Sequence, residues 1–219
     1  YVHDGERAQW MYDTNDHARN PYFWYEGTQQ SYPDFDRAVA PERRGTGGYL
    51  DNLSTGWAPR YHETLVRKMF ASMAVALQEE FHVDGFRVDQ TTSIHAYNVR
   101  HADGAVAGNA NVFGAKTLRE WSRTQKFIRP GVFLMAEDHS GWDQVTAPTD
   151  ANGLGFDATW YADFYHHLVG DGEGRDSHAK LLKYAGYGDD RPLAMDTFAA
   201  VLAATGHNKV VYCESHDEA

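Results

Sequence analysis

The sequence predicts an α/β fold in which helices cover a sheet of parallel strands. Predicted elements alternate along the 219 residues in the order helix, strand, helix, strand, weak strand, helices, strand. Such alternation is typical of parallel sheets, because successive parallel strands need a crossover connection. Polar residues also gather where the strands end, which is the catalytic face of a (β/α)₈ barrel. We therefore predict a barrel of this kind, incomplete in this chain.

Two long helices are predicted from hydrophobic periodicity. Residues 61–80 carry apolar side chains at helical spacing, among them Leu65, Met73 and Leu77, with charged residues elsewhere. Residues 114–128 form the second helix, which ends before a Pro-Gly pair. Apolar side chains on one face predict that each helix packs against the sheet.

Strands are predicted where short runs of branched and aromatic residues end on polar ones. Three strands are well defined, at residues 81–89, 132–137 and 209–214, and a weaker strand is predicted at residues 155–160. Two or three further helical segments are expected between residues 161 and 204.

A doubly wound sheet would also place its site at strand ends, but Gly45-Thr-Gly-Gly48 does not open a helix after a strand. It is therefore interpreted as a turn and not as a dinucleotide-binding loop.

The first 59 residues differ from the rest. They are rich in turn-forming and aromatic residues and show little periodicity. We predict that residues 1–59 form an irregular insertion and that residues 60–219 form the partial catalytic barrel. The aromatic run Pro21-Tyr-Phe-Trp-Tyr25 either lines a cleft or fills a small core. The chain starts without Met, so we expect a fragment of a longer protein.

Composition narrows the class of partner. The chain has 20 Lys and Arg against 31 Asp and Glu, a net charge of −11, which disfavours nucleic acid and anionic membranes and favours a neutral substrate. Aromatic residues make up 14% of the chain, and aromatic rings stack on sugars. Cys213 is the only cysteine, which excludes an intramolecular disulfide. The sequence has no long apolar run and no signal segment, so we predict a cytoplasmic location.

Three carboxylates are predicted at the ends of strands: Asp89, Glu137 and Asp217. Strand ends of one barrel converge, so these acids should meet. Arg87 lies two positions before Asp89 and therefore on the same face of the strand. A close pair of carboxylates suits retaining glycoside chemistry, in which one attacks the sugar and the other moves the proton.

The surroundings of each acid suggest its role. Arg87 should hold Asp89 ionised, which suits a nucleophile. Glu137 follows an apolar run, which should raise its pKa and suit an acid/base. Asp217, beside His216, could bind sugar hydroxyls and stabilise a positively charged transition state.

No cofactor and no metal site are predicted. Four other histidines lack metal-site spacing and are interpreted as loop residues or supports of the site: His95, His101, His139 and His207.

Three stretches resemble the conserved regions of the α-amylase family, glycoside hydrolase family 13. Asp84-Gly-Phe-Arg-Val-Asp89 resembles the second region, Met135-Ala-Glu-Asp138 the third and Ser215-His-Asp-Glu218 the fourth. The resemblance implies the same three catalytic roles, with Arg87 and His216 binding substrate. It also implies a barrel that runs from the loop after the third strand to the end of the seventh, and an α-glucan oligo- or polysaccharide substrate. The family's first region is not present.

The predicted function is α-amylase-type hydrolysis of α-glucans through a covalent intermediate. A 1,4-α-glucan branching enzyme is the alternative, because the residues around 81–87 and 214–218 resemble that group. A metal-dependent barrel, with strand-end acids on Mg²⁺, is disfavoured by the cation of Arg87. A non-catalytic glucan-binding relative is disfavoured because binding needs no acid/base pair.

Overall fold

The structure is a computed structural model that describes residues 21–25, 49–52, 56–96, 99–101, 105–169, 179–186 and 192–216. Its strands are β1 (Asp51–Asn52), β2 (Gly56–Trp57), β3 (Gly85–Val88), β4 (Val99–Arg100), β5 (Phe133–Ala136), β6 (Ala158–Trp160) and β7 (Lys209–Val210). Its helices are α1 (Thr64–Glu80), α2 (Thr91–His95), α3 (Gly108–Ile128), α4 (Ala162–Leu168), α5 (Leu181–Gly186) and α6 (Met195–Ala203). Two short 3₁₀ turns, Asp143–Val145 and Thr149–Ala151, connect β5 to β6.

Four strands form one parallel sheet in the order β3-β5-β6-β7. All four predicted strands are therefore present, and the prediction of parallel strands with helices between them is confirmed. The first strand begins later than predicted, because α1 runs to Glu80 and His82 has a left-handed backbone that reverses the chain. These four strands do not close on themselves, so a complete barrel stays a prediction.

The main core lies between this sheet and α3. Phe86 and Val88 on β3 pack against a buried cluster that includes Leu118 of α3 and Leu134 of β5. Arg87, between them on the strand, contacts the carboxylates of Asp89 and Glu137 instead. These contacts confirm the predicted division of β3 into an apolar face and a charged face.

Helix α1 turns a different face inward from the one its apolar pattern predicts. Leu65, Met73 and Leu77 are 71%, 58% and 42% exposed, whereas Arg67 and Gln78 are buried. These two polar residues face α3. Arg67 Nε donates to Glu120 at 2.7 Å, and Gln78 Nε2 donates to Gln125 Oε1 at 2.5 Å, so hydrogen bonds orient the helix pair.

We expect Arg67→Met to destabilise the protein by about 2 kcal/mol, because the Arg67 guanidinium holds three other groups besides Glu120. It donates to the carbonyl oxygens of Tyr61 and His62, each at 2.8 Å, and to Thr64 Oγ1 at 3.2 Å. The change in the free energy of unfolding can be measured by urea denaturation.

Lys116→Met is the matched control for this prediction. Lys116 also faces Glu120, at 3.8 Å, but both side chains are about half exposed, at 49% and 47%. Exposed pairs contribute little, so the control should change the free energy of unfolding by less than about 0.5 kcal/mol. Equal effects of the two substitutions would contradict a special role for Arg67.

A small antiparallel sheet has the order β2-β1-β4, and Val99 of β4 packs in a buried cluster with Ala110 of α3. Of the predicted insertion, residues 1–59, most positions are outside the described residues, including the turn at 45–48. The aromatic run at 21–25 is described, and two of its residues lie in a small core: Tyr22 and Phe23 are 3% and 0% exposed and pack with Tyr49 and Val66. The run therefore forms a core, while Tyr22 also lines a cavity, so each of the two alternatives holds in part.

Candidate active site

Strand register brings two of the predicted carboxylates to the same level. Val88 of β3 pairs with Ala136 of β5, so Asp89 and Glu137, the next residue on each strand, leave the sheet side by side. A backbone hydrogen bond from Glu137 N to Val88 O, at 2.9 Å, extends the pairing by one step. The predicted convergence of these two strand ends is confirmed.

The guanidinium of Arg87 contacts both carboxylates. Arg87 Nη1 donates to Asp89 Oδ1, as the strand spacing predicts. Arg87 Nη2 lies 2.9 Å from Glu137 Oε2, an ion pair whose angle falls outside that of a hydrogen bond. The positive charge of Arg87 therefore lies close to both Asp89 and Glu137, which reduces the repulsion between the two carboxylates.

The carboxylate of Glu137 is buried and held by several donors. Gln90 N donates to Oε2 at 2.8 Å, and His139 Nε2 lies 3.4 Å from Oε1. Burial alone would raise the pKa of Glu137, but hydrogen bonds from His139 and Gln90 N, together with the charge of Arg87, lower it to about 2. The predicted rise in the pKa of Glu137 is therefore wrong, because the hydrogen bonds and the charge of Arg87 outweigh the effect of burial.

We expect Glu137 to make the stability of the protein depend on pH in acid. Because folding lowers the pKa of Glu137 from 4.5 to about 2, its carboxylate stabilises the folded state above pH 4.5, and this contribution is lost as the pH falls toward 2. In urea denaturation, the advantage of wild type over Glu137→Gln in free energy of unfolding should therefore shrink over this range. An advantage that is equal at about pH 6 and about pH 3 would contradict the expectation.

Trp160 closes one side of the site. Ala136 of β5 pairs with Thr159 of β6, so Trp160 leaves its strand at the level of Glu137. Its ring lies under Arg87, with the guanidinium carbon 4.1 Å from the ring centroid. This contact helps to orient Arg87 and is favourable for a partly desolvated cation.

The third predicted acid, Asp217, lies outside the described residues. Its neighbour His216 is exposed, and its ring centroid is 6.3 Å from that of Trp160. The structure thus brings Arg87, Asp89 and Glu137 together and places His216 at the margin of the same group.

A buried polar cluster lies behind Glu137. The side chain of Asp138 accepts hydrogen bonds from Thr91 and Ser140 and contacts the ring of His95. Burial would raise the pKa of Asp138, but the bonds from His95, Ser140 and Thr91 lower it overall. Gly114 of α3 allows this arrangement, because a Cβ at that position would collide with the carbonyl group of Ile94 in α2.

A cavity of about 330 Å³ runs along β3 and reaches Asp89 and Gln90. Its walls are mainly apolar and include Tyr22 of the aromatic run, Phe70 of α1, Phe86 of β3 and Trp121 of α3. A sugar needs hydrogen-bond partners for its hydroxyl groups, so the polar end at Asp89 is the part of this cavity that suits one.

The described residues hold neither a cluster of metal ligands nor a membrane-spanning helix. In that part of the chain, no group of three or more His, Cys, Asp or Glu side chains is placed to hold a metal ion. None of its helices is both long and apolar enough to cross a membrane.

Curated proteins with related sequences include bacterial 1,4-alpha-glucan branching enzymes. The chain is 32% identical to GlgB of Corynebacterium efficiens over 134 residues, which are 59% of this chain and 17% of that protein. It is 34% identical over 114 residues to GlgB of Thermobifida fusca, covering 50% and 15%. It is 28% identical over 165 residues to GlgB of Prochlorococcus marinus strain AS9601, covering 71% and 21%.

These relatives confirm the resemblance to the α-amylase family. The chain matches about a fifth or less of the length of each relative. No family model matches the chain. Among solved structures, a pullulanase from Anoxybacillus sp. LM18-11 complexed with maltotriose covers 78% of this chain and 22% of its own, with 16% identity and a TM-score of 0.49.

The α-amylase family motifs identify only part of this site. Trp160, His139 and Gln90 lie outside the residues that the sequence singled out as catalytic or substrate-binding, yet each contacts Arg87 or Glu137. A signal for Trp160 was present, since it is an aromatic residue at the end of a predicted strand. Gln90 had none, because it acts through its backbone N–H.

Proposed function

We propose that the full protein is a retaining enzyme of the α-amylase family that acts on α-glucans through a covalent glycosyl intermediate. The observation that carries the proposal is the pairing of Asp89 and Glu137 on one guanidinium at neighbouring strand ends. Because both carboxyl groups contact the same guanidinium, they lie close together. Retaining chemistry needs this closeness, whereas inverting enzymes keep their carboxyl groups about 6.5–9.5 Å apart to admit a water.

In this proposal Asp89 attacks the anomeric carbon and Glu137 protonates the departing oxygen. The bond from Asp89 to the sugar forms as the glycosidic bond breaks, and Glu137 then takes a proton from the incoming hydroxyl group. Arg87 orients Asp89, while Asp217 and His216 complete the sugar site by resemblance to the family.

Proton donation requires the pKa of Glu137 to rise when a glucan binds, because the free carboxyl has a pKa of about 2. Glycosylation of Asp89 removes one negative charge from the site, so the donors of Arg87 and Gln90 then favour an ionised Glu137 as the base. Glu137 must therefore be protonated in the first step and ionised in the second.

Hydrolysis of α-glucans is the first candidate reaction, and transfer to a sugar hydroxyl, as in branching, is the second. The names of the curated relatives favour the second, since all three are branching enzymes. Both reactions share the glycosyl intermediate and differ in the acceptor that attacks it. Four features stay predictions: the barrel, the insertion at residues 1–59, the absence of nucleic-acid and membrane partners, and a cytoplasmic location.

Product analysis with amylose distinguishes the candidates. The full-length protein is incubated with amylose, and the products are treated with a debranching enzyme before chain-length analysis. Shorter linear sugars indicate a hydrolase, and new α-1,6 branches indicate a branching enzyme. Unchanged amylose, together with unchanged branched glucans, would contradict the proposed function.

A further inference from the structure

A buried pair of side chains joins the segments that follow the two candidate catalytic acids. His95 Nε2 lies 2.7 Å from Asp138 Oδ2, and each of these side chains is only 2% exposed. His95 ends α2, which begins two residues after Asp89, and Asp138 directly follows Glu137. The pair therefore connects the chain just beyond one acid to the chain just beyond the other.

Both oxygens of Asp138 are held from more than one direction. Besides the contact with His95, Oδ2 accepts a hydrogen bond from Thr91 Oγ1 at 2.8 Å. Oδ1 accepts bonds from Ser140 N at 3.0 Å and from Ser140 Oγ at 2.5 Å. Asp138 is thus fixed by α2 on one side and by its own loop on the other.

Two further contacts carry this arrangement to Glu137. Thr91 N donates to Glu137 O at 3.0 Å, and Thr91 Oγ1 lies 2.8 Å from the same oxygen. Gln90, the residue before Thr91, donates its N–H to Glu137 Oε2 at 2.8 Å. A shift of α2 would therefore move the donor that orients the carboxylate of Glu137.

We propose that His95 and Asp138 are positioning residues that hold Glu137 in register with Asp89 for glycosyl transfer. This inference rests on the proposed function. Neither side chain lines the cavity at Asp89, so both act through their neighbours. A hydrogen-bonded pair is satisfied in one orientation only, whereas an apolar pair of equal size would pack in several.

Kinetics of the full-length protein on α-glucan test the proposal with three variants. His95→Leu removes the contact with Asp138, and His95→Gln keeps a side-chain N–H to restore it. His167→Leu is the matched control, because His167 is also buried, at 7% exposed, and its Nδ1 accepts a hydrogen bond from Ala179 N at 3.1 Å.

We expect His95→Leu to lower kcat by about 10²-fold with KM changed less than about threefold, since small misplacements of reacting groups have effects of this size. His95→Gln should recover most of the loss, and His167→Leu should keep the kcat of wild type. Wild-type kcat in folded His95→Leu, or an equal loss in His167→Leu, would overturn the proposal. If His95→Leu does not fold, Asp138→Asn replaces it, with a smaller expected loss of kcat.

Crystal structures of the same variants provide a readout that needs no activity. In His95→Leu, or in Asp138→Asn if that variant replaces it, the distance from Gln90 N to Glu137 Oε2 should exceed hydrogen-bond range; an unchanged 2.8 Å would overturn the proposal. If wild type shows no action on α-glucans, the proposed function fails, and this distance still decides whether the pair positions Glu137.

Discussion

Asp89→Asn is expected to lower turnover on α-glucans by about 10⁴-fold or more, as removal of a nucleophile does in other covalent enzymes. Asparagine keeps the size of the side chain and an oxygen that can accept the bond from Arg87, so glucan affinity should change little. A slow fluorinated glycosyl substrate should trap an adduct on Asp89 of the wild-type protein, and intact mass followed by peptide mapping would locate it.

Asp84→Asn is the matched control for this prediction. Asp84 precedes the same strand at its other end, is highly exposed, and accepts a hydrogen bond from Arg129 at 2.6 Å. Its replacement should leave turnover within about twofold of wild type, since exposed ion pairs contribute little. Near-normal turnover of Asp89→Asn, or an adduct mapped to another residue, would show that Asp89 is not the nucleophile.

Glu137→Gln is expected to lower turnover on natural glucans by about 10²- to 10⁴-fold, the usual contribution of a general acid. The loss should be much smaller for the first step on a glycosyl fluoride, because fluoride departs without a proton. Rapid-quench kinetics with both substrates would separate the steps, and the glycosyl intermediate should accumulate because no base activates the acceptor.

Glu120→Gln is the control for loss of a carboxylate elsewhere. Glu120 lies on α3, where it pairs with Arg67 and Lys116, and its replacement should affect stability more than turnover. Equal losses of Glu137→Gln on both substrates would indicate that Glu137 orients the site without moving a proton.

Local patterns predicted the strand ends well. The alternation of side chains along β3 placed Arg87 beside Asp89 and opposite Phe86, and the structure agrees. The acid that ends β5 was also identified correctly as a neighbour of Asp89. These features depend on residues adjacent in sequence or on the general rule that parallel strands end at one edge.

Predictions that needed packing partners failed. The apolar spacing of α1 predicted a buried face at Leu65, Met73 and Leu77, but the helix turns Arg67 and Gln78 toward α3. Hydrogen bonds to partners more than 45 positions away decide this orientation, and no pattern within α1 reveals them.

By itself, the sequence determined the order of elements, the parallel strands, and the identity of Arg87, Asp89 and Glu137 as a group, because strand period and strand ends are local properties. Only the tertiary structure decided the electrostatics of that group. Donors from Gln90 and His139, together with Arg87, lower the pKa of Glu137, and Trp160 orients the shared cation. A pKa depends on distances of a few ångströms between separate segments, and only the folded chain sets those distances.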